Sequence, residues 1–234
     1  MIKLHQFKST FGLPNLSPPC MKLECFLKMA ELPYEEIILS NPAKAPKGKG
    51  PYIEDGNVCI GDSTLIIHYL QEKHGIDLDQ GLTDKQRAEA LALQVMLEEH
   101  LYWVIVYSRW IDDTNWPTIR DLFFGNMPFF IRPLITNMAR KSVVKALHGH
   151  GIGRHTPEEI YDFGKRDVKA VADYLGDKPF MMGDTPTLID AAVYAVIANI
   201  LAVPMESPLQ SYTAKSPNLA AHSKRMQERY FPAS

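Results

Sequence analysis

Ser17-Pro18-Pro19-Cys20 is the stretch that decides the fold of this chain, because it predicts a helix start shortly after a strand. Serine is a favoured N-cap residue, and proline suits the first helical position, where its missing N–H would have no partner anyway. Upstream, residues 2–7 alternate apolar and polar side chains with the period of a half-buried strand. Downstream, Leu23, Leu27 and Ala30 lie on one face of the predicted helix. The chain therefore opens with a strand, a loop and a helix.

The α/β pattern continues up to residue 76. A second strand at Glu35–Leu39 is followed by a loop over residues 40–50, which is rich in Lys, Pro and Gly. Two further strands, at Pro51–Glu54 and Val58–Ile60, are joined by the hairpin turn signal Asp55-Gly56-Asn57. A helix then starts at Asp62-Ser63 and ends near residue 74. Residues 1–76 are thus predicted to form one small α/β domain.

From residue 83 onward the strong signals are helical, so residues 83–234 are predicted to form an all-helical second domain. Thr83-Asp84-Lys85-Gln86 is a capping box that opens a helix to about residue 110, and Thr187 with Asp190 forms a second one. Further helices are predicted at about 117–147, 157–175, 187–203 and 217–229. The 187–203 helix is almost wholly apolar, which predicts that it forms the centre of this domain.

Composition narrows the class of protein. The formal net charge of −2 predicts no nucleic-acid partner. The basic stretch 132–145 is interpreted as the solvated face of a helix or loop, with an anionic partner as the alternative. Three cysteines suit a reducing compartment, and we expect a cytoplasmic protein. The longest apolar run, 191–203, has 13 residues, which is too short for membrane insertion.

The helix start at Ser17 predicts thiol chemistry. Unpaired N–H groups and the positive end of the helix dipole favour a thiolate there, and the Ser17 hydroxyl could donate a hydrogen bond to the sulfur of a bound thiol. The alternative is that Ser17 only caps its helix. Cys20 lies one turn further and has no second cysteine at position 17, so a dithiol exchange mechanism is disfavoured. A core thiol is the preferred interpretation of Cys20, and a nucleophile that forms mixed disulfides is the alternative.

Two further places are candidates for ligand binding. A cis bond between Gly50 and Pro51 would turn the Gly50 backbone towards a peptide-like ligand, whereas a trans bond would make Pro51 an ordinary strand-leading proline. Asp62 and Ser63 start a helix, where N–H groups and a hydroxyl can bind a carboxylate. The alternative is a plain N-cap pair.

Aromatic residues of the long helix are candidates for a substrate pocket. Trp103, Tyr107 and Trp110 follow helical spacing, which indicates either core packing or one wall of an apolar pocket. Glu98-Glu99-His100 lacks metal-ligand spacing. The Gly- and His-rich residues 148–155 are interpreted as a flexible loop, with adventitious metal binding as the alternative. We therefore predict no bound metal.

Several segments together resemble the glutathione transferase superfamily, and within it the branch of failed axon connections and the metaxins. The matching segments are Ser17 to Glu24, Gly48 to Glu54, Asp62-Ser63-Thr64, Glu98 to Trp103, Gly151 to His155, and Gly183 to Asp190. The resemblance covers essentially the whole chain. It implies a thioredoxin-like N-terminal domain followed by a transferase-type helical bundle.

The resemblance also implies a function. Ser17 matches the position that activates the thiol of glutathione, Gly50 and Pro51 the site that touches the cysteinyl backbone, and Asp62 and Ser63 the pair that holds the γ-glutamyl end. Glutathione would be a co-substrate that attacks a small hydrophobic electrophile or a disulfide near Trp103 and Tyr107. A homodimer through residues 62–74 and 84–110 is a family expectation.

Two alternatives remain open. The first is a non-catalytic adaptor whose glutathione site has decayed, which predicts an obstructed cleft near Ser17. Its partners would bind the basic loop Lys44–Lys49 or residues 132–145. The second is a thiol reductase that depends on Cys20.

Overall fold

A computed structural model describes residues 1–232 and contains a four-stranded mixed sheet in the order β2-β1-β3-β4. Strand β1 pairs in parallel with β2 and antiparallel with β3, which in turn forms a hairpin with β4. Helices α1 and α2 complete the α/β unit. The bounds are β1 Ile2–Gln6, α1 Pro18–Met29, β2 Tyr34–Ile38, β3 Tyr52–Asp55, β4 Val58–Gly61 and α2 Ser63–His74. The predicted α/β unit is confirmed.

Helices form the rest of the described chain, as predicted. Their bounds are α3 Asp84–Val95, α4 Tyr102–Trp110, α5 Trp116–Phe124, α6 Arg132–His150, α7 Pro157–Leu175, α8 Leu188–Leu201, α9 Pro208–Thr213 and α10 Pro217–Tyr230. Both predicted capping boxes are present, at Thr83 with Gln86 and at Thr187 with Asp190. The short helix α9 was not predicted from the sequence.

A π-helical segment, Met96–Leu101, joins α3 to α4 without a loop. The N–H of Tyr102 donates to the carbonyl of Leu97, five residues earlier, which is the spacing of a π-helix. The predicted helix from residue 84 to 110 is therefore continuous. Because the wide turn adds a residue, the side chains of α4 are rotated about the helix axis relative to those of α3. The sequence analysis did not identify this turn.

Helix α8 forms the centre of the molecule. It is buried from Ile189 to Ile200 and packs against α1 on one side and against α3, α9 and α10 on the others. A separate cluster that includes Leu4, Phe26 and Ile53 lies between the sheet and its helices. Across residues 1–232, no helix combines the length and the apolar character needed to cross a membrane.

Two predictions about the helical part are wrong. The helix predicted at 117–147 is interrupted between α5 and α6, because Pro128 disfavours helical backbone at the preceding residue and lacks an N–H. The flexible loop predicted at 148–155 is instead the last turn of α6 followed by a 3₁₀ turn, Ile152–Arg154. By contrast, the connection 41–50 between β2 and β3 contains a single 3₁₀ turn, Pro42–Lys44, in keeping with the predicted loop.

Candidate active site

Ser17 occupies the N-cap position of α1 with an extended backbone, at φ −91° and ψ 113°. Its side chain makes no capping hydrogen bond to the described residues, which corrects the prediction that it caps its own helix. Pro18 and Pro19 fill the first two helical positions and supply no N–H donor, so only the N–H of Cys20 remains among the usual capping donors. The half-buried hydroxyl of Ser17 is therefore not used for capping and faces the Cys20 thiol instead.

Cys20 lies beneath this position and is fully buried. Burial raises the pKa of the Cys20 thiol to about 12, although the Ser17 hydroxyl and the Phe7 backbone act in the opposite direction. The thiol is therefore neutral near pH 7, and a nucleophilic thiolate is disfavoured. This supports the core-thiol interpretation and argues against a reductase that depends on Cys20.

The peptide bond between Gly50 and Pro51 is cis, the form that the sequence left open. Gly50 packs closely against the start of α1. A Cβ at this position would lie 2.9 Å from Leu39 Cδ2, 3.6 Å from Phe7 Cε2 and 3.7 Å from Cys20 Sγ. A larger residue would therefore have to displace Leu39, which explains why glycine is found here.

The start of α2 adjoins the same loop. The N–H of Asp62 donates to the carbonyl of Pro51 at 3.3 Å. Asp62 has φ 90°, a sparsely populated conformation for a non-glycine residue, and its Oδ1 accepts the N–H groups of Thr64 and Leu65. Asp62 therefore caps α2, as the alternative interpretation predicted. The neighbouring Ser63 is buried at the first helical position. The structure thus brings Gly50-Pro51 and Asp62-Ser63 together.

A buried polar network holds the loop that precedes Ser17. One terminal nitrogen of Arg109 donates to the carbonyl of Leu16 at 2.7 Å, and the other donates to the backbone and side-chain oxygens of Asn199, both at 2.9 Å. The Asn199 amide in turn donates to the carbonyl of Asn15 at 3.1 Å. The Asn15 side chain accepts the N–H of Ser17 at 3.0 Å. Helices α4 and α8 therefore position Ser17, a role that the sequence analysis missed.

The π-helical segment connects the helical part to the start of α2. Glu98 accepts a hydrogen bond from Lys22 Nζ at 2.6 Å, and the same nitrogen donates to Thr64 Oγ1 at 3.0 Å. Lys22 belongs to α1 and is almost fully buried. The motif residue Glu98 thus links both helix starts of the candidate site to the long helix.

Aromatic side chains adjoin the site through Phe7. Phe123 meets the Phe7 ring edge-on, with centroids 6.2 Å apart, and stacks on Trp110 at 5.9 Å. Trp116 and Phe124 also contact Trp110. These five residues form the aromatic cluster, which includes Trp110 from the predicted aromatic stripe.

Trp103 and Tyr107 point elsewhere. The Trp103 ring stacks on His150 with centroids 4.7 Å apart, and the Tyr107 ring meets Tyr161 edge-on at 5.8 Å. Both side chains pack against the core of the helical part. This corrects their predicted placement in a pocket wall near Ser17 and matches the core alternative.

Comparisons with known proteins identify relatives of this chain. The N-terminal domain model of glutathione S-transferase matches residues 18–115, and the C-terminal domain model matches residues 164–226. The chain is 38% identical to failed axon connections of Drosophila melanogaster, over 99% of this chain and 58% of that protein. It is 32% identical to an isoprene-epoxide–glutathione S-transferase of Rhodococcus, over 98% of this chain and 99% of that protein. It is 26% identical to human metaxin-1, over 99% of this chain and 51% of that protein.

The fold is that of a solved β-etherase, LigF from Sphingobium, with a TM-score of 0.65 at 17% identity over 97% of this chain and 94% of that chain. A thioredoxin-like domain with a cis-proline loop and two helix starts, followed by a helical bundle, defines a protein of the glutathione transferase type. The chain belongs to the glutathione transferase superfamily. The resemblance to failed axon connections and the metaxins is confirmed.

Proposed function

We propose that the protein binds glutathione and activates its thiol for attack on a small electrophile. The observation that carries this proposal is the convergence of an uncapped Ser17 hydroxyl, the Gly50–Pro51 loop and the start of α2. Glutathione offers one group to each: a thiol, a peptide backbone and a γ-glutamyl carboxylate. The exposed Lys47 and Lys49, in the loop that leads to Gly50, would supply positive charge for the glycyl carboxylate of glutathione.

Ser17 would stabilise the thiolate. Its hydroxyl donates a hydrogen bond to the sulfur, and the positive end of the α1 dipole favours the anion. Each unit by which the thiol pKa falls corresponds to about 1.4 kcal/mol of preferential interaction with the thiolate. Because Cys20 is buried and neutral, it would support the site from below and would not react.

An epoxide is the first electrophile to test, since the Rhodococcus relative is named for one. The thiolate would form a C–S bond while the C–O bond of the ring breaks, and the resulting alkoxide would take a proton from water. The aromatic cluster offers an apolar surface beside Phe7, so we place the electrophile there in preference to Trp103 and Tyr107.

Ser17→Ala tests this function, with Ser9→Ala in the same loop as the control because Ser9 is exposed. We expect Ser17→Ala to lower kcat by about 10²-fold while glutathione still binds, because the lost hydrogen bond acts on the developing charge. Ser63→Ala is expected to weaken glutathione binding in isothermal titration. Failure of the wild-type protein to bind glutathione at roughly 10 mM, about −2.7 kcal/mol, would overturn the proposal.

The second candidate is the adaptor. Its support is the similarity to failed axon connections together with an exposed apolar surface between α5 and α6, where Phe129 is 86% and Phe130 is 72% exposed. Large exposed apolar side chains side by side are typical of interaction surfaces. An absence of glutathione binding would favour this function, and pull-downs with Phe129→Ser and Phe130→Ser variants would then test the surface.

We also propose a homodimer and a cytoplasmic location. Leu65 on α2 and Leu91 and Val95 on α3 are about half exposed, and a dimer through these helices would cover them. Sedimentation of wild-type protein and Leu91→Glu tests the dimer. The cytoplasmic location rests on the three free cysteines and the lack of disulfides among residues 1–232.

A further inference from the structure

A second pocket lies in the helical part, away from the candidate active site. It has a volume of about 530 Å³ and is open to solvent. Its walls are formed by the π-helical segment, the end of α6, the turn that follows α6, and α7. The lining residues are His100, His150, Gly151, Ile152, Arg154, His155 and Phe163. No part of the proposed transferase chemistry uses this pocket.

His100 is held in place from behind. Its Nδ1 lies 2.6 Å from Asp167 Oδ2, and because a carboxylate only accepts hydrogen bonds, Nδ1 carries the proton. Asp167 is buried, whereas the His100 side chain is 43% exposed. The second ring nitrogen, Nε2, is therefore the one left for a ligand in the pocket.

Each of the other polar lining residues also keeps a side-chain nitrogen free, and a free imidazole nitrogen donates a hydrogen bond when the ring is protonated. His155 uses Nδ1 to contact Glu159, and His150 uses Nε2 to contact the carbonyl of Glu99. Arg154 donates its Nε to the carbonyl of His148 at 3.1 Å, which leaves its terminal nitrogens for another partner. Up to four positive charges therefore line the pocket, against the carboxylates of Asp167 and Glu159, which are already paired with His100 and His155.

An aromatic ring provides an apolar side to the pocket. Phe163 lies between the two imidazoles, with ring centroids 5.7 Å from His100 and 5.0 Å from His155. Ile152 adds a buried aliphatic contact. The pocket thus combines an apolar wall with donors for an anion.

The backbone turn that carries Arg154 is tightly closed. Gly151 has φ 109°, and a Cβ on Gly153 would lie 2.8 Å from the carbonyl carbon of Leu147, so both positions require glycine. The N–H of Arg154 donates to Gly151, and that of His155 donates to Ile152. This turn fixes Arg154 and His155 on the same rim as His100.

From this arrangement we infer that the pocket binds a small organic phosphate. The phosphate contacts Arg154, His100 and His155, and the organic part packs on Phe163. Arginine forms strong, directional hydrogen bonds with phosphate oxygens, and protonated imidazoles add charge-assisted donors. The inference does not depend on glutathione chemistry.

Histidine NMR of the full chain tests the inference, with phenyl phosphate as the probe and inorganic phosphate and benzyl alcohol as comparisons. We expect phenyl phosphate to bind with a Kd of about 1 mM and to shift the NMR signals of His100 and His155, while that of the exposed His68 on α2 does not shift.

Arg154→Gln should raise the Kd for phenyl phosphate about tenfold, since it removes a charge-assisted donor. His155→Gln provides a second variant in case Arg154→Gln loosens the turn, and Lys145→Gln, an exposed residue on α6, is matched in charge as the control. Equal shifts at His68, or an equal Kd in the Arg154 and Lys145 variants, would overturn the inference. Equal binding of phenyl phosphate and inorganic phosphate would overturn the role of Phe163.

Discussion

The two ends of α8 hold buried polar networks that connect different parts of the molecule. At its start, Asp190 accepts hydrogen bonds from the N–H groups of Met181 and Thr187 and from His222 Nε2, all within the helical part. At its other end, Asn199 joins Arg109 to the loop before Ser17, which belongs to the α/β unit. One end therefore holds the bundle together, and the other positions the candidate active site.

The two networks also differ in their charges. Asp190 is a carboxylate that accepts hydrogen bonds from its neighbours. Arg109 is a cation, and the hydrogen bonds described here are donated by it to carbonyl and amide oxygens. Burial lowers the pKa of Arg109 to about 10, with Tyr102 acting in the opposite direction. Arg109 therefore stays charged near pH 7 at a cost in solvation. The difference indicates that the Asp190 network serves stability and the Arg109 network serves geometry.

Asp190→Ala is expected to have the largest effect on stability. It leaves two buried backbone N–H groups and His222 without their acceptor, and we expect the free energy of unfolding to fall by about 3–5 kcal/mol. Urea denaturation measures the change, with Asp184→Ala as the control because Asp184 is exposed in the same stretch. A loss below about 1 kcal/mol, similar to that of the control, would contradict the stability role.

Asn199→Ala is expected to have a smaller effect on stability and a larger effect on the site. Its loss breaks bonds to Arg109 and to the carbonyl of Asn15, which should cost about 1–3 kcal/mol. Because Ser17 then loses its fixed position, we expect kcat/KM with glutathione to fall about tenfold. If the loss of kcat/KM were in the same proportion to the loss of unfolding free energy in Asn199→Ala and in Asp190→Ala, the proposed division between the two ends of α8 would be wrong.

Two buried thiols can report on the two ends with the smallest perturbation. Cys20 lies near the Asn199 end, since Asn199 donates to the adjacent Met21 Sδ at 3.3 Å, whereas the charge of Asp190 acts on Cys25. Burial raises the pKa of Cys20 to about 12, so its thiolate fraction at pH 8 is ~10⁻⁴. Because the pKa is shifted upward, the reactivity of Cys20 should increase as the pH rises from 8 towards 12. In the native protein, iodoacetamide should label the exposed Cys59 first.

In the variants, mass spectrometry should show which end opens. We expect Cys20 to be labelled sooner than Cys25 in Asn199→Ala, and the reverse in Asp190→Ala, each by about threefold to tenfold, because local opening controls the access of the reagent. Identical ratios of the two labelling rates in both variants would show that α1 and α8 open as one unit.

The elements that could be predicted from the sequence have local signals. The capping boxes at Thr83 and Thr187, the turn at Asp55-Gly56-Asn57 and the start of α1 all depend on a few neighbouring residues, and all four are present. The break at Pro128 was also visible locally, but the surrounding apolar periodicity led to one long helix.

The parts that could not be predicted depend on distant contacts. Arg109 lies more than ninety residues from Leu16, and nothing near either residue indicates that they meet. Likewise, helical spacing indicated an aromatic stripe that includes Trp103, and only the family resemblance placed that stripe near Ser17. The actual contact of Trp103 with His150 depends on the packing of α4 against α6, which no local pattern encodes.

The π-helical segment Met96–Leu101 fixes the number of residues that the chain can have between α3 and α4. Successive residues of an α-helix are rotated by about 100°, so the added residue of the wide turn sets the rotational phase between α3 and α4. With this phase, Glu98 contacts Lys22, His100 contacts Asp167, and Tyr102 continues the helix. Deleting one residue here would rotate one half of the helix against the other, whereas the same deletion at 125–131 would only shorten a connection. Insertions and deletions should therefore be tolerated between α5 and α6 and excluded from the long helix.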